Sequence, residues 1–300
     1  SHVIDPEALL LFTCSLGRHD QRLFDEVLDW LTVNGRFLNV HRMKSIARNE
    51  EFRGRSVLRA VADWLSQQKD AMKWKLLAKQ DRPPIDAEPL FYLPDGRPLP
   101  LAGESDTVFL KHGLWRNPVE PRGYALPFPP NAAPCLLLRM RALFGVNARC
   151  DVLTHLALNE TGHPRKVARE LYYSQKAIHD VMTDMARSGI IHSSRAARER
   201  VFRIATDTLP FLTRPCEALR WINWPVLLST AETVWHMVEE LHAARLEPSV
   251  ESSEIHLTMK PLLDRLVRAP WGAAFAHTRN VEPGVLLDRF AEAFQATVSE

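Results

Sequence analysis

The stretch Glu170–Ile191, ELYYSQKAIHDVMTDMARSGII, decides how the rest of the chain is read. Ile178, Val181, Met182 and Met185 fall at i, i+3, i+4 and i+7, the spacing that puts four apolar side chains on one side of a helix. Ser174 stands just before them, where a hydroxyl accepts from the free amides of a first turn. Ser188-Gly189 supplies a left-handed stop, after which Ile190 and Ile191 enter a strand. The opposite side, at about 100° per residue, carries Lys176, Asp180, Thr183 and Arg187, with Gln175 and His179 flanking near the N-terminal end. The pattern predicts a helix over 175–187 that is gripped by one side and polar on the other.

Working outward, the preceding residues predict helices over 148–158 and 165–171. His163-Pro164 opens the second of these, and the small Ala168 lies where it must pack closely on the next helix. Downstream, IIHSSRAARERVFRI (190–204) predicts a strand, a basic turn and a strand. Arg195, Arg198 and Arg200 sit at or near its tip, where guanidinium groups suit phosphates or a minor groove. Asp180 is the awkward member of the polar side, since phosphate repels a carboxylate unless it accepts from cytosine or orients a neighbour.

In this order of elements, and in the run S-Q-K-A-I-H-D-V-M-T-D-M-A-R-S-G-I-I from Ser174, residues 148–204 resemble a known module. It is the winged helix-turn-helix domain of bacterial ArsR/MarR-type transcriptional regulators, whose third helix often reads S-Q-x-x-V-S-x-x-L-x-x-L-x-x-x-G-L-V. The resemblance covers under a fifth of the chain. It implies a third helix lying in the major groove of double-stranded DNA and a wing beside it. The DNA-binding residues are then Arg165, Lys166, Ser174, Gln175, Lys176, His179 and Thr183 from the helices, with Arg195, Arg198 and Arg200 from the wing. Gln and Lys early in such a helix match adenine and guanine edges. Because one such helix reads only a few base pairs, a homodimer is expected. Two departures stand out: Tyr172-Tyr173 replaces the usual small residue or glycine, and the cysteine motif of the metal-sensing members is absent.

At 300 residues, 46% apolar and 25% charged, the chain is long enough for more than one compact module. The net charge is only +2, but it is unevenly spread. Residues 36–82 hold 12 Lys and Arg against 5 acids and residues 163–204 hold 9 against 4, whereas 231–300 hold 6 against 11. Two basic segments and an acidic one suit a chain whose first two thirds meet a polyanion. Cys14, Cys135, Cys150 and Cys216 are far apart with no C-x-x-C pair, which argues for reduced thiols and a cytoplasmic setting. The apolar run ALLLFTCSLG follows acidic Asp5 and Glu7, so a helix capped by Asp5-Pro6 is expected there and not a signal peptide. No stretch reaches the roughly 18 apolar residues of a membrane span.

The expected fold class is mainly α with small β-hairpins, in four segments. Residues 1–81 read as helices over 6–16, 20–31, 40–48 and 56–65, with Leu23, Val27, Leu28 and Leu31 forming a stripe on the second. Two readings stay open here: a second winged helix, with Arg53, Arg55 and Arg59 early in its third helix and MKWKLL as a strand, or a plain helical dimerisation domain. Residues 82–134 hold 12 of the 21 prolines and read as a folded connector. In it FYLPDGRPLPL predicts a hairpin around Asp95-Gly96, and TVFLKHGLW a short strand. Residues 135–214 form the winged helix-turn-helix segment and 215–300 a helical C-terminal segment, where Trp221, Trp224 and Trp235 read as core or packing residues. A weak internal echo links LLLFTCSLG…NG from Leu9 to LLLRMRALF…TG from Leu136.

The expected function is a sequence-specific DNA-binding transcriptional regulator without cofactor or metal. The alternative is a winged-helix interaction module, or an antitoxin-type regulator, that binds a partner protein through the acidic 215–300. The sequence holds no G-x-G-x-x-G, P-loop, H-E-x-x-H or G-x-S-x-G that would point to an enzyme. His236 and His242 lie near Glu239 and Glu240, but only His236 and Glu239 make a full i, i+3 pair, which reads as a polar helix face.

Overall fold

A computed structural model describes residues 1–68, 72–79, 86–159, 161–196, 199–204, 219–278 and 281–299. The protein is mainly helical, with two small two-stranded sheets among the described residues. The N-terminal helices are α1 (Pro6–Leu16), α2 (Gln21–Asn34), α3 (Val40–Asn49) and α4 (Arg55–Ser66). The first three start where a side chain offers an acceptor: Asp5 takes the amide of Ala8, Asp20 that of Leu23, and Asn39 those of His41 and Arg42. The buried stripe of α2 is Phe24, Leu28 and Leu31, and the Leu23 expected in it is 52% exposed. MKWKLL is not a strand: a 3-10 turn over Met72–Trp74 runs into α5 (Lys75–Ala78). Strand alternation would have paired Trp74 with Met72 and Leu76, but the segment buries Trp74 and Leu77, three apart, and leaves those two exposed.

TVFLKHGLW departs in the same way. The Asp106 carboxylate accepts from the amides of Val108 and Phe109 and starts α6 (Thr107–Lys111). Only β2 (Leu114–Trp115) is extended, pairing parallel with β1 (Glu88–Pro89). The Asp95-Gly96 reversal does close a small hairpin, with Leu93 donating to Arg97 O at 2.7 Å and Leu99 to Phe91 O at 3.0 Å. Leu90, Phe91, Phe109 and Leu114 are buried in the same apolar core as α1–α5. Beside it Arg116 is shut from solvent, 2.7 Å from Asp25 and about 5 Å from the ring centres of Phe91 and Phe109.

A second core gathers α7 (Leu136–Phe144), α8 (Ala148–Leu158), α9 (Pro164–Leu171) and α10 (Gln175–Arg187) with the antiparallel pair β3 (Ile191–Ala196) and β4 (Glu199–Ile204). A third forms between α11 (Trp224–Ala244), α12 (Pro248–Val267) and α13 (Pro283–Ser299). Trp221 and Trp224 are partly buried, whereas Trp235 is 45% exposed and lies tilted against His19, ring centres 5.2 Å apart. The internal echo extends to element order, since α1–α4 and α7–α10 are each four successive helices. It stops there, because α4 leads into a helical turn and α10 into a hairpin. No helix among the described residues is long and apolar enough to cross a membrane.

Charge, as well as grease, joins the first two cores. Arg42 on α3 reaches Asp5 and, at 2.6 Å, Glu7 of α1, while its Nε donates to Leu171 O at the end of α9. Arg141 on α7 grips the same Glu7 and, at 3.0 Å, Asp151 of α8. Side-chain exposure of these five groups does not exceed 8%. The first residues add a backbone seam: Ile4 donates to Pro134 O, Arg220 to Ser1 O, and the indole of Trp224 to Val3 O. Burial alone would raise the Asp5 carboxyl, but Arg42 overrides it and holds Asp5 below its ordinary range.

Such a depressed group stabilises the fold above its unfolded value, about 3.9, and that contribution is lost as pH falls through the folded value. The urea midpoint is therefore expected to drop below about pH 4. Arg42→Met, which leaves Asp5, Glu7 and Asp151 under-compensated, should cost about 3–5 kcal/mol. Arg22→Met, at an exposed pair with Glu26, should cost less than about 1 kcal/mol.

Candidate nucleic-acid interface

The local sequence builds the polar side of α10 in a few steps. The Ser174 hydroxyl accepts from the amide of Ala177 at 3.2 Å and fixes the first turn. Ile178, Met182 and Met185 are buried and Val181 half-buried, so one stripe clamps the helix onto α8 and α9. Gly189, at φ +78°, turns the chain into β3, a conformation that any side chain would strain. Gly162 pairs with Phe202 in both directions, at 2.8 and 2.9 Å, which ties the loop before α9 to β4.

This framework leaves Gln175, Lys176 and His179 exposed on the first turns of α10, next to exposed Ser174. Arg165 and Lys166 are exposed on α9, with Lys166 3.9 Å from Glu170. Arg195 faces Arg200 across the β3–β4 register and both are exposed. The Arg200 guanidinium lies over the Phe202 ring and donates to Ser193 at 3.0 Å, which holds it along the hairpin. Arg198 lies outside the described residues. Thr183 is placed differently from the expectation: it is half-buried, and its hydroxyl oxygen is shut from solvent without a hydrogen-bond partner. It therefore sits at the edge of the packed stripe and not on the open side.

The exposed charges of α10 are mixed. Asp180 lies 3.6 Å from His179, and Asp184 is flanked by Arg187 at 3.6 Å and Arg149 of α8 at 3.8 Å. The cationic edge is thus the N-terminal part of α10 with α9 and the hairpin, while the C-terminal part of α10 is locally neutralised. Arg149 of α8 is exposed beside Asp184, and exposed Arg203 of β4 alternates with Phe202 and so lies on the other face of the hairpin from Arg200.

The tyrosine pair before Ser174 has a structural reason. Tyr172 adopts the left-handed conformation, φ 62° and ψ 37°, as the residue ending α9. Such a conformation costs a side chain roughly 1–2 kcal/mol. Its hydroxyl donates to Glu50 at 2.7 Å and lies 3.2 Å from Asn223. Tyr173 donates to Asp151 at 2.7 Å and accepts from Asn39 at 2.8 Å. Burial, reinforced by Glu50 and Asp151 respectively, pushes both phenols well above their ordinary range, so they remain neutral donors. The turn of the helix pair is thus bolted to the N-terminal helices and to the start of α11. Sequence alone displayed the unusual tyrosines, but their partners lie up to 134 positions away.

Elsewhere, His236 joins Ser15 of α1, at 3.1 Å, to Glu239, at 3.0 Å. This arrangement has the order of a hydrolytic relay, but Ser15 is buried in the last turn of α1, where unpaired carbonyls would repel an oxyanion. Cys14, Cys135 and Cys150 are free and buried; burial and Asp151 push Cys150 to about 11, away from thiolate chemistry. Among the described residues no group of three or more His, Cys, Asp or Glu is placed to hold a metal ion. Comparison of the chain with protein-family models, curated proteins and solved structures finds no match.

Tyr172→Phe keeps the ring and removes the hydroxyl, and is expected to cost about 1–3 kcal/mol. Hydrogen exchange at the amides of Ser174–Ala177 should speed up by a similar free energy if the turn is held as described; unchanged protection would show that the bolt carries no strain.

Proposed function

We propose that the protein is a sequence-specific DNA-binding transcriptional regulator whose segment 148–204 acts as a winged helix-turn-helix. The observation that carries this reading is the two-sidedness of α10: Ile178, Met182 and Met185 are buried while Gln175, Lys176 and His179 stand open beside a basic hairpin. The succession α8, α9, α10, β3, β4 supports it, because it is the order in which a winged helix offers a reading helix and a wing. In this reading the N-terminal half of α10 enters the major groove, Gln175 and Lys176 meet base edges, and Arg165 and Lys166 lie along phosphates. Arg195 and Arg200, with Arg198, form the wing. Asp180 faces the duplex only if it accepts from a cytosine or steers His179. Two copies reading two half-sites complete the operator.

A second reading, a protein-binding module, draws on a different observation. Val250 and Leu257 of α12 are exposed, seven residues apart on one helical stripe, in an acidic region. The same stripe would serve a partner protein or the second copy of a dimer.

Fluorescence anisotropy with duplex DNA from the chain's own upstream region tests the first reading. Affinity is expected to fall steeply with salt, with a logarithmic slope of about −0.9 per phosphate contact. Lys176→Ala should weaken the preferred site by about 1–3 kcal/mol and relax its sequence preference. Arg195→Ala with Arg200→Ala should weaken all sequences alike and reduce the slope by about 2. A slope near zero, or an affinity indifferent to both changes, would overturn the assignment.

A further inference from the structure

A cleft of about 1220 Å³ opens where three distant segments meet: the C-terminal end of α3, the outer side of α9 and the C-terminal end of α12. Each contributes an exposed arginine, Arg48, Arg169 and Arg268 respectively. Among the described residues none of the three makes an ion pair. The fourth arginine of the lining, Arg265, is engaged by Glu50 at 2.7 Å. The lining also holds Glu50, Glu170 and Asp264, but Glu50 is taken by Arg265 and Glu170 by His155 at 2.6 Å, and five Lys and Arg side chains face these three carboxylates, an excess that an anionic ligand relieves. Guanidinium groups pair with phosphate by two parallel hydrogen bonds, which a compact ammonium cannot match. The wall also holds half-buried Trp271 with Val226 and Ala168, an apolar surface on which a flat ring can rest. The volume slightly exceeds that of usual small-ligand sites, roughly 300–1000 Å³, leaving room for bridging water.

We propose that this cleft binds a small phosphorylated ligand with an aromatic part, of the nucleotide class, and that the ligand regulates the helix pair beside it. Phosphates meet Arg48, Arg169 and Arg268, and the ring meets Trp271. The route to regulation runs through Glu50 on the cleft floor. That carboxylate accepts at once from Arg265, from the Tyr172 hydroxyl and from Ser229. A phosphate that draws Arg265 away leaves Glu50 under-compensated beside the left-handed Tyr172, so ligand occupancy and the seating of α10 are linked. Linkage is reciprocal: the factor by which ligand changes duplex affinity equals the factor by which duplex changes ligand affinity. The regulatory part rests on the DNA-binding reading; the binding site does not.

Isothermal titration of the full chain with ATP, pyrophosphate and adenosine, followed by duplex binding with and without ATP, tests both parts. ATP is expected to bind, pyrophosphate more weakly and adenosine weakest. Arg169→Ala with Arg268→Ala should lower ATP affinity at least tenfold while the urea midpoint stays that of the wild type. Lys176→Ala should impair duplex binding only. ATP should shift duplex affinity by the factor by which duplex shifts ATP affinity. Failure of ATP and pyrophosphate to bind at millimolar concentration, or undiminished ATP binding by the double variant, overturns the site. Loss of duplex affinity and salt slope in the double variant, with ATP merely competing, overturns it too and assigns the cleft to the DNA backbone. ATP binding without any effect on duplex affinity overturns the regulatory part, and ATP binding by a chain that binds no duplex overturns the DNA reading while leaving the site intact.

Discussion

Everything that places α10 depends on one cluster of buried charge. Glu7 on α1 is held from both sides, by Arg42 of α3 and Arg141 of α7, and Asp151 of α8 sits against the same two guanidinium groups. Taking such groups out of water is costly, and only near-complete pairing and hydrogen bonding offsets it. The cluster meets that condition: Asn39 donates its backbone amide to Glu7, Arg141 also donates to Phe37 O, and Tyr173 closes the second oxygen of Asp151. An apolar contact would join these helices as strongly, but it would tolerate sliding. Directional bonds from five elements allow one arrangement, and Tyr173, directly before the cap of α10, belongs to it.

The tyrosine pair shows how that rigidity reaches the surface. Tyr173 points back to the charge cluster and Tyr172 forward to Glu50 and the start of α11, so one turn is held by both the N-terminal and the C-terminal cores. A glycine at 172 would relax the backbone but lose the bonds to Glu50 and Asn223. Glu50 is the less secure of the two anchors, because its partner Arg265 is partly exposed whereas Arg42 and Arg141 are not. The helix pair is therefore fixed on one side and adjustable on the other.

Much of the fold was legible in the sequence because its helices carry their own start and stop signals. Asp5, Asp20, Asn39, Asn147 and Ser174 all accept from first-turn amides, and the apolar spacing of α10 sorts its buried from its open side. Errors fell where two periodicities fit a short run equally well, as in MKWKLL, or where a cap outweighed β-rich composition, as with Asp106 before TVFLK. Thr183 shows the limit of a helical wheel, which tells angle but not what packs nearby. The exposure of Gln175, Lys176 and His179 followed from spacing alone. The cleft did not, since Arg48, Arg169 and Arg268 come together only through contacts among α3, α9 and α12 that no local pattern encodes.

The seam made by the first residues has a consequence for how the molecule comes into being. Ile4 pairs with Pro134 and Val3 with the Trp224 indole, so the seam before α1 closes fully only when a residue 221 positions downstream has been made. At about 5–20 residues per second that is a wait of roughly ten to forty seconds. Through that interval the apolar flank of α1 that ends up against α11 stays uncovered, the kind of transient surface that makes a partly made chain prone to aggregation.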